Sequence, residues 1–533
     1  MVDHPLTESE LLVFLGAHIL LGVRNNDVLD HAWSTSIDRD LLRVPLVANS
    51  IREDRYKSIL SHLSFMSGDD ERWLGDPLHS RMRKLKPVND PLRRACQEAW
   101  DIEKDVVVDE SRLRMSSRYC TLATTLLCKP IKHGLTIYCV NFCRTRYLYN
   151  FEWFTGKAEA HGAGQPTDMT PLDEDDDESY GYILQLLLDE QHGLITPDFD
   201  DTGCCWYLDK AFTSFRLARA LAKRRNAIVG MLRTAGRPKS RPRGTTEYWP
   251  FRGMSKAELD EYVRGFRREA YTKACNSALA TGDVEWIRAE LWRDSKWVTL
   301  LATTYHSASD AEVSSEPVTP LPRSALVRLA TPLPLSQPHT ERAAPCQVDR
   351  WTKAAGRRLP VPCSIALRKY NKNMGAVDGF NRELAATHMQ LGRCKQRWQR
   401  SCFLGWLLPA VGRVNVRTAF CEIMKLVWGK GALDTLKRAR GVATTGFNKW
   451  FQSRLGEAVL REGVKAATLE NEGHDPYFMP MKREEGYWVR PPLVLPTPPG
   501  AQEEAHSKYR VNFMEKPKAI VTMRDVRRWG CVR

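Results

Sequence analysis

The chain has no Cys-x-x-Cys pair among its 14 cysteines, and their spacing forms no regular framework, so neither a zinc site nor a disulfide scaffold is supported. Cys139, Cys143, Cys204 and Cys205 read as reduced, buried thiols of an intracellular protein. A long apolar run is also missing. The longest, Leu11 to Val23, is too short to span a bilayer and contains His18, so no membrane partner is expected. The N-terminus carries acids where a secretory signal would need a basic segment. Acidic residues are themselves in short supply: 64 against 79 basic ones, a formal net charge of +15. That imbalance favours a polyanionic partner, with nucleic acid ahead of an anionic membrane surface.

What is present suffices for a large folded protein. At 533 residues, 43% hydrophobic and with 16 tryptophans, the chain exceeds one simple core, and two or three domains are expected. Thr7-Glu-Ser-Glu10 forms a capping box, and the helix it opens buries Leu11, Leu15 and Leu21. Helical segments continue to about residue 100, anchored by Trp33, Phe65 and Trp100.

At residue 106 the pattern changes. Val106-Val-Val-Asp-Glu110 reads as a buried strand ending in two carboxylates, followed by β-runs from Leu135 to Phe142 and from Arg146 to Phe154. The three form an antiparallel meander. A later strand, Cys204-Cys-Trp-Tyr-Leu-Asp209, also ends in an aspartate, and the helix marked by Phe212, Leu217 and Leu221 leads to a strand over 227–232. This β-α-β order defines a parallel unit. A basic stretch follows, including Arg216, Lys223, Arg224, Arg225, Arg237 and Lys239. It suits phosphate contact or nuclear import, or it is a solvated face. A helical part over 255–280 and a strand over 297–303 come next, then a Pro/Ser/Thr-rich stretch, 307–345, of disordered composition.

Tyr370-Asn-Lys-Asn-Met-Gly-Ala-Val-Asp-Gly-Phe-Asn381 reads as a turn at Gly375 running into a helix that carries Val377, Phe380 and Leu384 inward. Asp378 and Asn381, three residues apart, share one side of it. Alone, Asp378 is a helix-start aspartate paired with a cation such as Arg382, or a metal ligand. Asp109 and Asp209 sit in comparable settings far upstream. Three aspartates from two strands and a distant helix suit a two-metal phosphoryl-transfer site, with Mg²⁺ or Mn²⁺ as the ions that carboxylates prefer.

The flanking residues sharpen this. Ala32-Trp-Ser34, Val108-Asp109-Glu110, Lys129-Pro-x-Lys-x-Gly134, Phe154-Thr-Gly-Lys157, Asp209-x-x-Phe-Thr-Ser214, Tyr370-Asn-x-x-Met-Gly-x-Val-Asp378 and Arg397-Trp398 occur in one order. This order, over residues 8 to about 425, resembles the transposases of the piggyBac group and the host proteins derived from them. The resemblance implies an α/β, ribonuclease-H-like (retroviral-integrase-type) core that cuts and joins double-stranded DNA. Asp109, Asp209 and Asp378 would be its catalytic metal ligands. It also implies action as a homodimer on transposon ends and TTAA targets, in the nucleus.

The implied layout is a helical part over 1–105, the core over 106–235, an insertion domain over 236–362, and the third-aspartate segment over 363–388. A second helical part over 389–480 would complete a composite DNA-binding and dimerisation domain with the first, and a Pro-rich tail spans 481–533. The sequence departs from the family's pattern at Asn381, where relatives carry aspartate, and at Lys210, where they carry asparagine. It departs again at Met115-Ser-Ser-Arg118, which replaces a Phe-x-Gly-Arg turn, and the C-terminal cysteine-rich zinc module is missing. Asn381 and Lys210 are therefore candidate accessory residues at the metals. Two functions stand open: a DNA transposase, and a catalytically inactive transposon-derived DNA-binding protein.

Overall fold

A computed structural model describes residues 6–24, 29–34, 44–65, 82, 84–115, 117, 120–127, 129–155, 178–189, 193–232, 264–273, 286–304, 346–352, 356–385, 398–439 and 446–470. The stretch 307–345, the tail over 481–533, and Arg237, Lys239 and Arg397 lie outside them.

The N-terminal elements are helices: α1 (Glu8–Arg24), α2 (Pro45–Ala48), α3 (Glu53–His62) and α4 (Lys86–Glu98). The Thr7 hydroxyl accepts from the Glu10 N–H at 3.2 Å, making half of the capping box. The Glu10 carboxylate turns instead to Arg55 on α3, with a bond of 2.6 Å to Nη2. Among the described residues no helix is long and apolar enough to cross a membrane.

The centre is a nine-stranded mixed sheet. Its strands are β1 (Asp105–Arg114), β2 (Thr124–Thr125), β3 (His133–Phe142), β4 (Leu148–Trp153), β5 (Cys205–Leu208), β6 (Ala227–Met231), β7 (Arg267–Lys273), β8 (Trp286–Arg293) and β9 (Trp297–Thr304). They lie in the order β2-β3-β1-β5-β6-β9-β8-β7, with β4 also on β3. The expected meander is β1, β3 and β4, all antiparallel. The expected parallel unit is β5, helix α6 (Phe215–Lys223) and β6. The Ser214 hydroxyl caps α6 by accepting from the Leu217 N–H at 3.1 Å.

Two expectations change. The first strand does not end at Glu110. It runs on to Arg114, because Ser111 and Leu113 keep the inward alternation and pair with Ile137 and Leu135 of β3. Within the expected helical part over 255–280, residues Arg267–Lys273 form a strand. Every one of them has a partner on β8, and those backbone bonds override a helix-compatible composition. The segment after residue 236 therefore extends the core sheet through β9, which pairs with β6.

The sheet is covered on both faces. Val106 and Val108 belong to a core with Trp206, Phe212, Leu217 and Leu221. That core also takes Leu184 and Leu187 from helix α5 (Glu178–Leu188). Val107 and Tyr207 face the other core, with Val377, Phe380 and Trp406. This second face carries a separate ribbon, β10 (Gln347–Thr352) with β11 (Arg357–Pro362), and then helices α7 (Ile365–Asn373) and α8 (Ala376–Ala385). A continuous helical run over 398–428 follows. It comprises α9 (Trp398–Cys402), two π-helical stretches and α10 (Val416–Trp428). Helices α11 (Ala432–Ala439) and α12 (Phe447–Glu470) complete the described chain.

The two helical parts meet through α1 and α12. A Cβ on Gly16 would lie 2.6 Å from the Leu460 Cα, and one on Gly463 would lie 2.6 Å from the Val13 amide nitrogen. Only glycine allows these backbones so close. Beside this contact His18 is buried, its Nδ1 2.8 Å from the Tyr56 hydroxyl. Burial, helped by Arg413 and Arg400, pushes its pKa down from 6.5 to about 3. A depressed histidine pKa gives stability that is complete above pH 6.5 and is lost as pH falls from there toward 3. Between pH 6.5 and 5 the wild type should lose about 2 kcal/mol that a His18→Gln variant does not lose. Denaturant unfolding of both proteins at several pH values checks this; parallel pH profiles would refute it.

Candidate active site

Val108 pairs with Leu208 in the parallel register between β1 and β5. The next residues, Asp109 and Asp209, therefore emerge side by side, about 4.8 Å apart along the hydrogen-bonding direction. Alternation puts both on the face shared by Val107 and Tyr207, the face that α8 covers. Asp378 lies in the first turn of α8, held there by Val377 and Phe380, both fully buried. Three carboxylates far apart in sequence thus approach one another at the point where β5 ends.

Their electrostatics register the meeting. Burial raises the Asp109 pKa from 3.8 to about 6, and the Asp378 and Asp209 carboxylates add to the rise. The Glu110 N–H, 2.7 Å from Asp109 Oδ1, and Lys129 oppose it. Burial raises the pKa of Tyr370, on α7, and the Asp209 and Asp109 charges add to the rise. A carboxyl whose ionised form is disfavoured by burial and by neighbouring carboxylates, as at Asp109, is suited to a nearby cation. Among the described residues no group of three or more His, Cys, Asp or Glu side chains is gathered closely enough to hold a metal ion. Carboxylates are the donors that a hard divalent ion prefers.

The nearby cation is not the expected one. Lys210 is exposed on the turn after β5 and makes no hydrogen bond or ion pair among the described residues. Lys129 instead lies 3.3 Å from Glu110 Oε2. Burial works against its ammonium, but Glu110, Asp109 and Asp209 outweigh it and raise its pKa. Lys129 opens the Lys-Pro-x-Lys-x-Gly motif, and that position in the motif order was its sequence signal. Arg382 donates from Nε to the Asp378 backbone oxygen at 3.4 Å, which leaves the carboxylate out of that bond.

Asn381 is committed to the strand. Trp406 Nε1 can only donate, and it does so to Ser111 Oγ at 3.0 Å. The Ser111 hydroxyl then donates to Asn381 Oδ1 at 2.7 Å, and Asn381 Nδ2 donates to the Glu110 carbonyl at 3.3 Å. The donor-only indole fixes the direction of the whole chain. The amide thus clamps α8 to β1 next to Asp109, where the sequence suggested a side chain turned toward the metals. Asn381→Asp would set a carboxylate oxygen against the Glu110 carbonyl and lose a donor. We expect it to destabilise the fold by about 1–3 kcal/mol and to raise no activity. Thermal denaturation measures the first effect; equal or higher stability would show that the clamp is dispensable.

The basic residues divide. Lys223 is exposed. Arg224 is spent on the fold, donating to the Ile195 and Thr196 carbonyls at 3.0 and 2.6 Å and pairing with Asp200. Arg225 pairs with Asp201 at 3.3 Å. Arg216, half-buried near the start of α6, has a partner of its own. Helix α6 runs back along β5, so Lys223, Arg224 and Arg225 end beside Cys204, where Asn226 Oδ1 accepts from the Cys204 N–H at 3.0 Å. That is the opposite edge of the sheet from Asp209, one strand length or about 13 Å away.

A mixed sheet that brings three aspartates to the end of one parallel strand pair defines a class, and comparison with known proteins supplies it. The family model described as Transposase IS4 matches residues 2–328, and the chain belongs to that family. A cryo-EM structure of the piggyBac transposase synaptic complex with hairpin DNA has the same fold, with a TM-score of 0.54. It is 16% identical in sequence, and the alignment covers 97% of this chain and 85% of that one. No curated protein matches the chain.

Proposed function

We propose that this protein is a metal-dependent DNA transposase of the cut-and-paste type, acting on double-stranded transposon ends and TTAA targets as a nuclear homodimer. The observation that carries the reading is the parallel register that sets Asp109 and Asp209 side by side, with Asp378 near enough to add to the rise in the Asp109 pKa and Lys129 near enough to oppose it. The order β4-β3-β1-β5-β6, three antiparallel strands followed by two parallel ones, supports a ribonuclease-H-like core.

Asp109, Asp209 and Asp378 would hold Mg²⁺ or Mn²⁺. When bound, such ions supply Lewis-acid stabilisation of the attacking and leaving oxygens. The chain's own residues prepare the place. β1 and β5 fix two carboxylates through backbone pairing, and the clamp from Trp406 through Ser111 and Asn381 fixes α8 and with it the third. Lys129 offers a positive charge beside Asp109, where the phosphodiester would lie.

The test is incubation of the purified full chain with Mg²⁺ or Mn²⁺ and a duplex carrying a TTAA-flanked end. Strand nicking at the TTAA border is expected. Binding without cleavage in either metal would leave a DNA-binding descendant of a transposase and end the catalytic reading.

A further inference from the structure

The chain enters the β10–β11 ribbon at Cys346 and leaves it at Cys363, and the ladder brings the two together. Gln347 pairs with Pro362. One step outward Cys346 faces Cys363, and the Cys363 N–H bonds the Cys346 carbonyl at 2.7 Å. Pro362 cannot donate, so the hydrogen-bonded pairs of this antiparallel ladder fall on either side of it. Cα atoms in such a pair stand about 5.5 Å apart, within the span that a disulfide bridges. Both thiols are free.

The two sulfurs have different surroundings. Cys346 is half-buried, and Arg368 of α7 donates from Nη1 to its Sγ at 3.6 Å. A partly exposed sulfur beside a guanidinium is the setting in which a thiol reacts as the thiolate. Cys363 is buried, and its thiol is pushed up to about 12 by burial and then by Cys346, through charge and a hydrogen bond between the two thiols. Solvent reaches Cys346 first, and Cys346 is what Cys363 touches. Other pairs are less well placed. Cys120 adds to the rise in the Cys402 pKa, but both of those thiols are buried. Cys143 and Cys205 are half-buried, but burial raises the pKa of each and Asp105, an acid, adds to both rises.

The pair stands where two docked segments meet. Cys363 directly precedes Ser364, whose hydroxyl caps α7 by accepting from the Leu367 N–H at 3.1 Å. The ribbon is fastened to the sheet by Arg350, which pairs with Asp294 at 3.0 Å, and by Trp292 Nε1, which donates to the Pro362 carbonyl at 2.8 Å. Asp294 lies in the turn between β8 and β9. Leu300 of β9 pairs with Met231 near the end of β6, and Leu208 pairs with Gly230, so the end of β6 is level with the end of β5. The ribbon therefore sits at the end of the sheet that carries Asp209.

We propose that Cys346 and Cys363 form a reversible redox clasp at the base of the ribbon, closed by a small disulfide such as oxidised glutathione. The Cys346 thiolate attacks one sulfur of that disulfide, its S–S bond breaks, and the first glutathione leaves with the proton that Cys346 gave up. Cys363 then attacks Cys346 Sγ in the mixed disulfide, and its proton goes to the second glutathione as that leaves. Two protein thiols are oxidised and one small disulfide is reduced to two thiols. Proximity offsets the weak acidity of Cys363 in the second step. Excess reduced glutathione runs the exchange backwards, which makes the bond transient in a reducing compartment. When closed, the clasp fixes both ends of the ribbon and the start of α7. The inference does not depend on the transposase reading.

The test exposes the full chain to mixtures of oxidised and reduced glutathione, blocks the remaining thiols with iodoacetamide and maps the peptides by mass spectrometry. A Cys346–Cys363 crosslink is expected as the first and predominant product, reversed by dithiothreitol. In Cys363→Ser, Cys346 should accumulate as its glutathione adduct; in Cys346→Ser, Cys363 should stay unmodified. Oxidation should slow hydrogen exchange of the β10 and β11 amides at least about tenfold in the wild type and leave it unchanged in Cys346→Ser. Cys346 is half-exposed, so Cys346→Ser should keep the wild-type thermal midpoint, and it decides the matter even where the buried Cys363 variant folds poorly. A first crosslink between other cysteines, a lasting glutathione adduct on wild-type Cys346, or full alkylation of both thiols in every mixture would overturn the inference. A crosslink that leaves exchange unaltered would overturn the clasp's hold on the ribbon. DNA plays no part in these measurements, so any of those results leaves the transposase reading intact.

Discussion

Asp209→Asn is expected to lower Mg²⁺-dependent strand cleavage by at least about a thousandfold while leaving DNA binding in place. Asparagine has nearly the same shape but brings no charge, and a divalent ion needs the charge. The backbone cannot slide another donor into place. The Asp209 carbonyl already accepts from the Phe212 N–H at 3.0 Å and from the Thr213 hydroxyl at 3.0 Å, which locks the turn after β5. Groups that act together on the same ions lose nearly everything when one is removed. The double variant with Asp109→Asn should therefore be scarcely worse than the single one.

The same substitution carries a signature that separates lost chemistry from lost structure. Asp209 is one of the neighbours that raise the Asp109 pKa. A carboxyl whose pKa is raised by the fold costs stability above that pKa, and the cost vanishes as pH falls through it. Removing the Asp209 charge should therefore make the metal-free protein more stable at pH 7, while activity disappears. An inactive variant with a lower melting midpoint would mean that Asp209 serves the fold, and unimpaired cleavage would remove it from the site.

Arg93→Met should destabilise the protein by about 3–5 kcal/mol, the usual consequence of stranding one half of a buried ion pair. Arg93 projects from α4 into the interior, where its guanidinium is paired with Glu152 and donates to Asn150 Oδ1 at 3.0 Å. Both partners lie on β4 and are buried. Asn150 in turn donates to the carbonyls of Gly193 and Leu194 at 3.2 and 3.0 Å, so one cation ties the helical part, the sheet and the loop before Pro197 together. With Arg93 gone, Glu152 loses that cation and either stays charged in the interior or takes up a proton, and either is costly. Adding Glu152→Gln should recover most of the loss, because the stranded charge dominates it. Denaturant midpoints of the two single variants and the double decide the matter; strictly additive losses would show that the pair is not coupled.

Much of the architecture was legible in the sequence because burial alternates along each element. Val106 and Val108 against Val107 marked a strand buried on both faces, and Val377 with Phe380 marked the inner side of α8. The order of short motifs brought Asp109, Asp209 and Asp378 forward as one group. Fold class and candidate ligands were thus readable from local pattern and motif order.

Pairing was not readable, because it depends on which backbone groups meet, and local composition does not encode that. Arg267–Lys273 became a strand because β8 was there to satisfy its amides. β1 continued past Glu110 because β3 stayed beside it to Arg114. Direction was equally hidden. Lys223, Arg224 and Arg225 follow Asp209 closely in the chain, yet α6 carries them to the far edge of the sheet. The β10–β11 ribbon, nearly half the chain beyond Asp109, is returned to the carboxylate end of the sheet because Arg350 pairs with Asp294 in the β8–β9 turn. Asn381 shares a helix side with Asp378, but a tryptophan that can only donate turns its amide onto the strand. The sequence by itself determined which residues are buried and which chemistry is on offer. Tertiary structure alone decided which charges stand together, since that follows from strand register and hydrogen-bond direction across hundreds of residues.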